Sequence, residues 1–206
     1  MSEAPVLTRL SIFPLAGALL LPRMQLPLHI FEPRYRALVT DALARDRRIG
    51  MIQPRGTGTP PPLFDIGCVG RIADVEALPD GRFNIVLEGL ARFRVVRELD
   101  VTTTFRQVEA ELMTAGEVES LSAIERAAIE SESRRFADAQ GYAVDWEAVA
   151  RLDDESLVNG IAQIAPFDPA SKQALLEAET LRDRAMLIVQ LMVFFGRHDD
   201  DTGTLQ

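Results

Sequence analysis

Residues 67–93 read GCVGRIADVEALPDGRFNIVLEGLARF, and the middle of that stretch decides the fold. Asp80-Gly81 lies between the runs Gly70–Leu78 and Phe83–Leu87. Both turn residues tolerate the positive φ that a two-residue hairpin turn demands. Phe83, Ile85 and Leu87 alternate with Arg82, Asn84 and Val86, the period of a strand with one face turned inward. An antiparallel hairpin is predicted. Phe93–Val96, and Val108, Ala110 and Leu112 alternating with Gln107, Glu109 and Glu111, predict a further strand pair.

Toward the N-terminus, Pro14, Pro22 and Pro27 break the chain too often for helix. The short apolar runs between them, Leu10–Phe13, Ala18–Leu21 and Leu26–Phe31, read as strands and connecting loops. Pro33 suits the first turn of a helix. From Arg34 to Arg45, Tyr35, Leu38, Val39, Ala42 and Leu43 share one helical face, and Gly50 reads as a stop. Gln53–Pro62 holds Gly56 and Gly58 among four prolines and reads as a loop. Several short strands with turn signals point to a small, partly closed barrel carrying one inserted helix.

The character changes near Gly116. Ser122 and Glu125 have capping-box spacing for a helix reaching about Ala139, and Gly141 ends it. Asp153–Ala165 reads as a second helix, Asp168-Pro169 starts a third that leads to Leu176, and Thr180 with Asp183 caps a last one to about Phe195. In that last helix only Gln190 is polar between Ala185 and Phe195. Such a helix belongs at the buried centre of a bundle, with docking of a partner or a second copy as the other reading. The expected fold class is α+β: a barrel subdomain at 1–115, a helical bundle at 116–197 and an acidic, solvating tail at 198–206 that includes Asp199-Asp200-Asp201.

Charge sharpens the division. Residues 1–115 carry 14 Arg against 13 Asp and Glu, a net +1, whereas residues 116–206 carry 8 basic against 18 acidic residues, a net −10. An acidic half repels phosphate backbones. Cys68 is the one cysteine, so no internal disulfide forms, and a cytoplasmic location is the simplest expectation. The run Leu10–Leu21 is broken by Pro14 and too short to span a membrane.

Three blocks carry a family resemblance. Phe13-Pro14-Leu15, Pro22 and Leu26-Pro27-Leu28-His29-Ile30-Phe31-Glu32-Pro33-Arg34-Tyr35 resemble the opening of the N-terminal domain of Lon proteases, in the form typical of its stand-alone members. Gly67-Cys68-Val69-Gly70-Arg71-Ile72, Leu78-Pro79-Asp80-Gly81-Arg82 and Leu87-Glu88-Gly89-Leu90-Ala91-Arg92-Phe93 are similar to its second signature. Pro166-Phe167-Asp168 with Leu175-Leu176-Glu177-Ala178 resembles its helical part. The resemblance spans about Leu7 to Phe195 and implies a PUA-like barrel followed by a helical bundle. It also implies a non-catalytic module that recognises exposed apolar segments of unfolded proteins or peptides. Adaptor docking on a protease, self-association and RNA binding are the competing expectations, the last disfavoured by a pI of about 4.8 and few stacking aromatics.

The chemistry-bearing residues point away from catalysis. No Gly-x-x-x-x-Gly-Lys-Ser/Thr loop is present to cradle ATP phosphates. The sole lysine, Lys172, follows Ser171 directly, and adjacent helical side chains diverge by about 100°, so the two cannot form a Ser-Lys dyad. His29 and Cys68 lack any sign of an orienting group or an oxyanion site. Two histidines 169 positions apart show no metal-ligand spacing, and no cofactor is expected. Phe31, Glu32, Arg34 and Tyr35 are the candidate peptide-binding residues. For each, a bland reading stands beside the functional one: core packing for Phe31 and Tyr35, internal ion pairing for Glu32, Arg34 and Arg36. Arg45, Arg47 and Arg48 read as solvated charge at a helix C-terminus.

Overall fold

The computed structural model describes residues 7–113 and 119–202, with side chains to residue 196. The fold is α+β, a six-stranded sheet followed by helices. The chain divides into two compact units, Met1–Ala115 and Gly116–Gln206.

The first unit holds β1 (Leu7–Pro14), β2 (Gln25–Ile30), α1 (Pro33–Leu43), β3 (Arg48–Ile52), β4 (Ile66–Ala77), β5 (Phe83–Glu98) and β6 (Gln107–Leu112). The strand order is β2-β5-β4-β3-β1-β6, with β5 also paired to β6. Strands β5, β4, β3, β1 and β6 therefore close a ring, while β2 lies outside it, on the first half of β5. The sheet is an irregular closure rather than a regular barrel. β1 and β3 run parallel; the remaining pairs are antiparallel.

The 16-residue β5 organises this arrangement. Its first half, from Phe83 to Glu88, lies between β2 and β4; its second half, from Phe93, turns to meet β6. Bulges between Val69 and Gly70 and between Ile72 and Asp74 in β4 supply the bend. Inside the ring Leu10, Ile12, Ile52, Val69, Phe93, Val108 and Ala110 form one buried cluster. Phe93 is fully buried there, worth about 3 kcal/mol in transfer terms. Gly67 makes room for it: a Cβ at that position would strike the Phe93 ring and the Met51 carbonyl.

The hairpin around Asp80-Gly81 forms, but its turn is longer than the two residues expected: Leu78 N–H donates to the Arg82 carbonyl at 2.9 Å, and of the two turn residues only Gly81 takes a positive φ, +79°. One open reading is decided and two change. Ala18–Leu21 is not a strand; Leu19, Leu20 and Leu21 are buried in a connecting segment that makes no ladder, with Leu20 packed over Gly70. An apolar run between turns has no period to separate a buried loop from a strand. Gly50 does not stop anything but sits within β3, beside Ile12 and Phe93, where a larger residue would crowd the core. Phe93–Val96 is the second half of β5, not a separate strand.

The second unit holds α2 (Ala123–Gln140), α3 (Trp146–Ala150), α4 (Asp154–Ile164), α5 (Pro169–Glu177) and α6 (Leu181–Thr202). Side chains at the N-terminal caps satisfy backbone donors at every start. Ser122 and Glu125 form the reciprocal capping box, Asp145, Asp153 and Asp168 accept from the N–H three residues on, and Thr180 accepts from Asp183 N at 3.0 Å. Gly141 closes α2 in the left-handed conformation. The short α3 has no forecast in the sequence reading, because five residues carry too little periodicity.

Helix α6 packs on α2, α4 and α5 through Leu181, Ala185, Ile188 and Met192, all buried. It is not enclosed on every side: Met186 is 47% and Phe194 55% exposed. Its backbone runs to Thr202, past the expected end near Phe195, so residues 198–202 of the expected tail are helical and residues 203–206 lie outside the described region. Arg184 is buried in this bundle. It donates to Asn159 Oδ1 at 2.9 Å, to the Leu175 carbonyl at 2.9 Å and to the Ala178 carbonyl at 3.3 Å, tying the end of α5 to α4 and α6.

Candidate peptide-binding surfaces

The four candidate residues straddle the start of α1, where Pro33 occupies the first turn and Glu32 is the N-cap. The structure divides them between two surfaces of the sheet unit. Arg34 and Tyr35 line a groove of about 470 Å³, together with Pro14, Pro54, Pro60, Pro61, Phe105 and Arg106. Phe31 stands on the arm that β2 makes with β5, 61% exposed, with its ring 6.2 Å from that of His29.

Tyr35 gives the groove its rigid wall. It is 7% exposed, stacks on Phe13 at 4.0 Å between ring centroids, and its hydroxyl donates to the Pro14 carbonyl at 3.4 Å. Burial raises its phenol above the ordinary value, and the neighbouring Arg34 and Arg106 charges partly oppose that. The Arg34 guanidinium lies 4.6 Å over the Tyr35 ring and pairs with Glu32 at 2.8 Å. Glu32 and Arg34 thus pair with each other, as the internal reading expects, and Arg34 also borders the groove.

The other wall is the proline-rich loop. Its base closes through the Pro54–Leu63 bridge, and Arg55 N donates to the Pro62 carbonyl at 2.7 Å. Arg106 holds its far side, donating to the Pro61 carbonyl at 2.8 Å while pairing with Glu98 at 2.6 Å. That pairing holds the Glu98 carboxyl below its ordinary value. Prolines and aromatics have little conformational freedom to lose, so such a groove is preformed. Of the residues lining this groove, the sequence reading singled out Arg34 and Tyr35 but not Pro54, Pro60, Pro61 or Thr104–Arg106, which lie far along the chain and are brought in only by the closure of the sheet.

Many charged residues of the sheet unit are paired locally. Arg34, Arg45, Arg48, Arg71, Arg82, Arg97 and Arg106 each pair with a carboxylate. Arg45 and Arg48 therefore act within their own turn, with Asp41 and Asp46.

The other singled-out residues fall apart from one another. Cys68 is fully buried in β4, whereas His29 is exposed on β2, and β5 runs between the two strands. His29 lies level with Glu76, eight residues from Cys68 along β4, which puts them roughly 20 Å or more apart. Ser171 Oγ donates to Asp168, while Lys172 Nζ reaches the Gln163 carbonyl at 3.2 Å. Burial lowers the Lys172 amine from its ordinary value. Among the described residues no group of three or more His, Cys, Asp and Glu is placed to hold a metal, and no helix is long and apolar enough to cross a membrane.

An irregular six-stranded sheet followed by helices is the architecture of Lon N-terminal domains. The structure superposes on the Lon N-terminal domain protein of Xanthomonas campestris with a TM-score of 0.68 at 21% identity, covering 89% of this chain and 98% of that one. The N-terminal domain of Mycobacterium avium complex Lon protease gives 0.66 at 19% identity, covering 90% and 98%. The sequence profile of the ATP-dependent protease La (LON) substrate-binding domain matches residues 9–193, so the chain belongs to that family. Lon protease 2 of Sorangium cellulosum is 31% identical over 197 residues, 88% of this chain but 24% of that protein. Lon protease of Xanthomonas oryzae is 26% identical, over 91% of this chain and 23% of that protein. The chain thus spans about a quarter of the length of these relatives, and the similarity lies in the substrate-binding domain.

Proposed function

We propose that the protein is a polypeptide-binding module that takes apolar side chains of unfolded or extended segments into the groove between α1 and the Pro54–Pro61 loop. The observation that carries this is the groove itself, with Tyr35, Phe105 and four prolines forming apolar walls beside the start of α1. Membership in a substrate-binding family supports the polypeptide class of ligand. The groove is large enough for one or two apolar side chains, and its rim holds hydrogen-bonding atoms in Thr59, Thr104 and Arg106. The residues around it suit binding rather than bond-breaking. Tyr35 is engaged by Pro14, Arg106 by Glu98 and Pro61, and no nucleophile–base pair lies there.

Reduced, unfolded casein titrated into the protein by calorimetry tests this. Saturable binding is expected, lowered about tenfold or more by Thr104→Trp, which fills the groove from an exposed position without entering the core. Undiminished binding by that variant would place the ligand elsewhere.

A further inference from the structure

The outer face of the β2–β5–β4 arm is separate from the groove and has its own chemistry. Three cross-strand rows lie on it: Gln25–Glu88–Arg71, Pro27–Val86–Asp74 and His29–Asn84–Glu76. Phe31 extends the β2 side of this face beyond His29, its ring near the imidazole. Pro27, His29, Asp74, Glu76, Asn84 and Val86 line a shallow depression of about 320 Å³.

A directed hydrogen-bond chain crosses this face. Asn84 Nδ2 donates to Glu76 Oε2 at 2.7 Å, which turns Asn84 Oδ1 toward His29 Nδ1 at 2.7 Å. A carbonyl oxygen only accepts, so Nδ1 carries the proton. Nε2 is then free to accept from Arg82 Nη1 at 3.3 Å. The chain holds the Glu76 carboxylate at a set angle on the sheet. Arg82 is anchored in turn by Asp80 at 2.6 Å.

The charge balance of the face is one-sided. Arg71 pairs with Glu88 at 2.7 Å, and Arg82 with Asp80, yet among the described residues neither Asp74 nor Glu76 has a cationic partner. Asp74 accepts only from the Val75 N–H at 2.9 Å, and Glu76 from Asn84. Two oriented carboxylates without a cationic partner among the described residues thus lie beside the apolar strip of Pro27, Val86 and Phe31.

We infer that this face docks a polypeptide segment bearing an apolar side chain and a nearby lysine or arginine. Phe31, Pro27 and Val86 cover the apolar side chain; Glu76 and Asp74 pair with the cation. His29 and Asn84 are positioning residues that hold Glu76. β2 and β4 are two strand spacings apart, roughly 10 Å, the reach of about three residues of extended chain. The segment therefore carries its basic residue two to four positions from its apolar one. The inference rests on the polypeptide-binding reading and adds a second contact with a charge rule.

Fluorescence anisotropy with three labelled ten-residue peptides tests it on the full chain: one pairing Phe with Lys three positions on, one with Glu replacing the Lys, one with Ser replacing the Phe. The Phe–Lys peptide should bind about fivefold tighter than the Phe–Glu peptide, with the gap narrowing as salt rises. Asp74→Asn with Glu76→Gln should erase the gap, Asn84→Ala should reduce it, and Thr104→Trp should leave it in place. Equal affinity for the Lys and Glu peptides, or a gap that survives in the double variant, overturns the charge rule alone. It does so while the groove reading stands, provided Thr104→Trp still weakens both peptides. Failure of all three peptides to bind overturns both.

Discussion

The sheet unit and the helical unit solve the same problem with opposite materials. The sheet unit keeps its charges outside, pairs them across strands, and fills its interior with hydrocarbon around Phe93. The helical unit buries a guanidinium, that of Arg184. The difference follows from how each satisfies its backbone. A closed ring of strands leaves few free carbonyls, whereas the short helices α4 and α5 end inside the bundle and expose theirs. Arg184 has donors enough for the Leu175 and Ala178 carbonyls and for Asn159. The sheet unit thus keeps its ion pairs on the surface, whereas the helical unit uses a buried cation to tie its helix ends together.

The largest effect should come from emptying the apolar core. Phe93→Ala is expected to cost about 4 kcal/mol. Loss of sheet signal in circular dichroism during urea unfolding checks it. Arg184→Met comes next at about 3 kcal/mol, because two carbonyls and an amide lose their donors in a buried site. Trp146, the single tryptophan, sits in α3 against Arg134, so its fluorescence reads the helical transition directly. A cost near zero for Arg184→Met would show that the buried charge is dispensable and would dissolve the contrast between the units.

Those two residues show how unevenly the fold can be read from sequence. The hairpin was legible because Asp80-Gly81 admits few conformations, and α2, α5 and α6 were legible from Ser122, Asp168 and Thr180 at cap spacing. The Leu19–Leu21 run was not, since burial without a period fits loop and strand alike. Gly50 misled because glycine marks turns and close packing equally, and here Ile12 and Phe93 occupy the space. At the candidate site, Tyr35 and Phe31 were visible as aromatics in a signature, but their separation onto two surfaces depends on β2 ending just before α1. The proline wall of the groove and the His29–Asn84–Glu76 row arise from strand register, which no local pattern encodes.

Smaller effects sharpen the same comparison. Ser122→Ala should cost about 1 kcal/mol by opening the capping box of α2, read as a lower Trp146 midpoint. Acid should act on the helical unit through Asp154. Its carboxyl is held below its ordinary value first by the Arg126 side chain, 2.6 Å away, and then by the Leu121 N–H. A lowered folded value means that the contribution is complete above about pH 4 and fades as pH falls through the folded value. Asp154→Asn should therefore flatten the acid limb of the Trp146 midpoint below about pH 4, with little change in slope near neutrality.

The most direct test of the account maps the ligand onto the two units. A ¹⁵N-labelled sample titrated with a Phe-containing extended peptide reports every backbone amide at once. Shifts gathered at Arg34, Tyr35, Thr59 and Thr104–Arg106, with the amides of α2 to α6 unmoved, are expected. Shifts confined to the helical unit would contradict the claim that the sheet unit carries the binding surface, and saturable binding without any change around the groove would contradict the groove as its place.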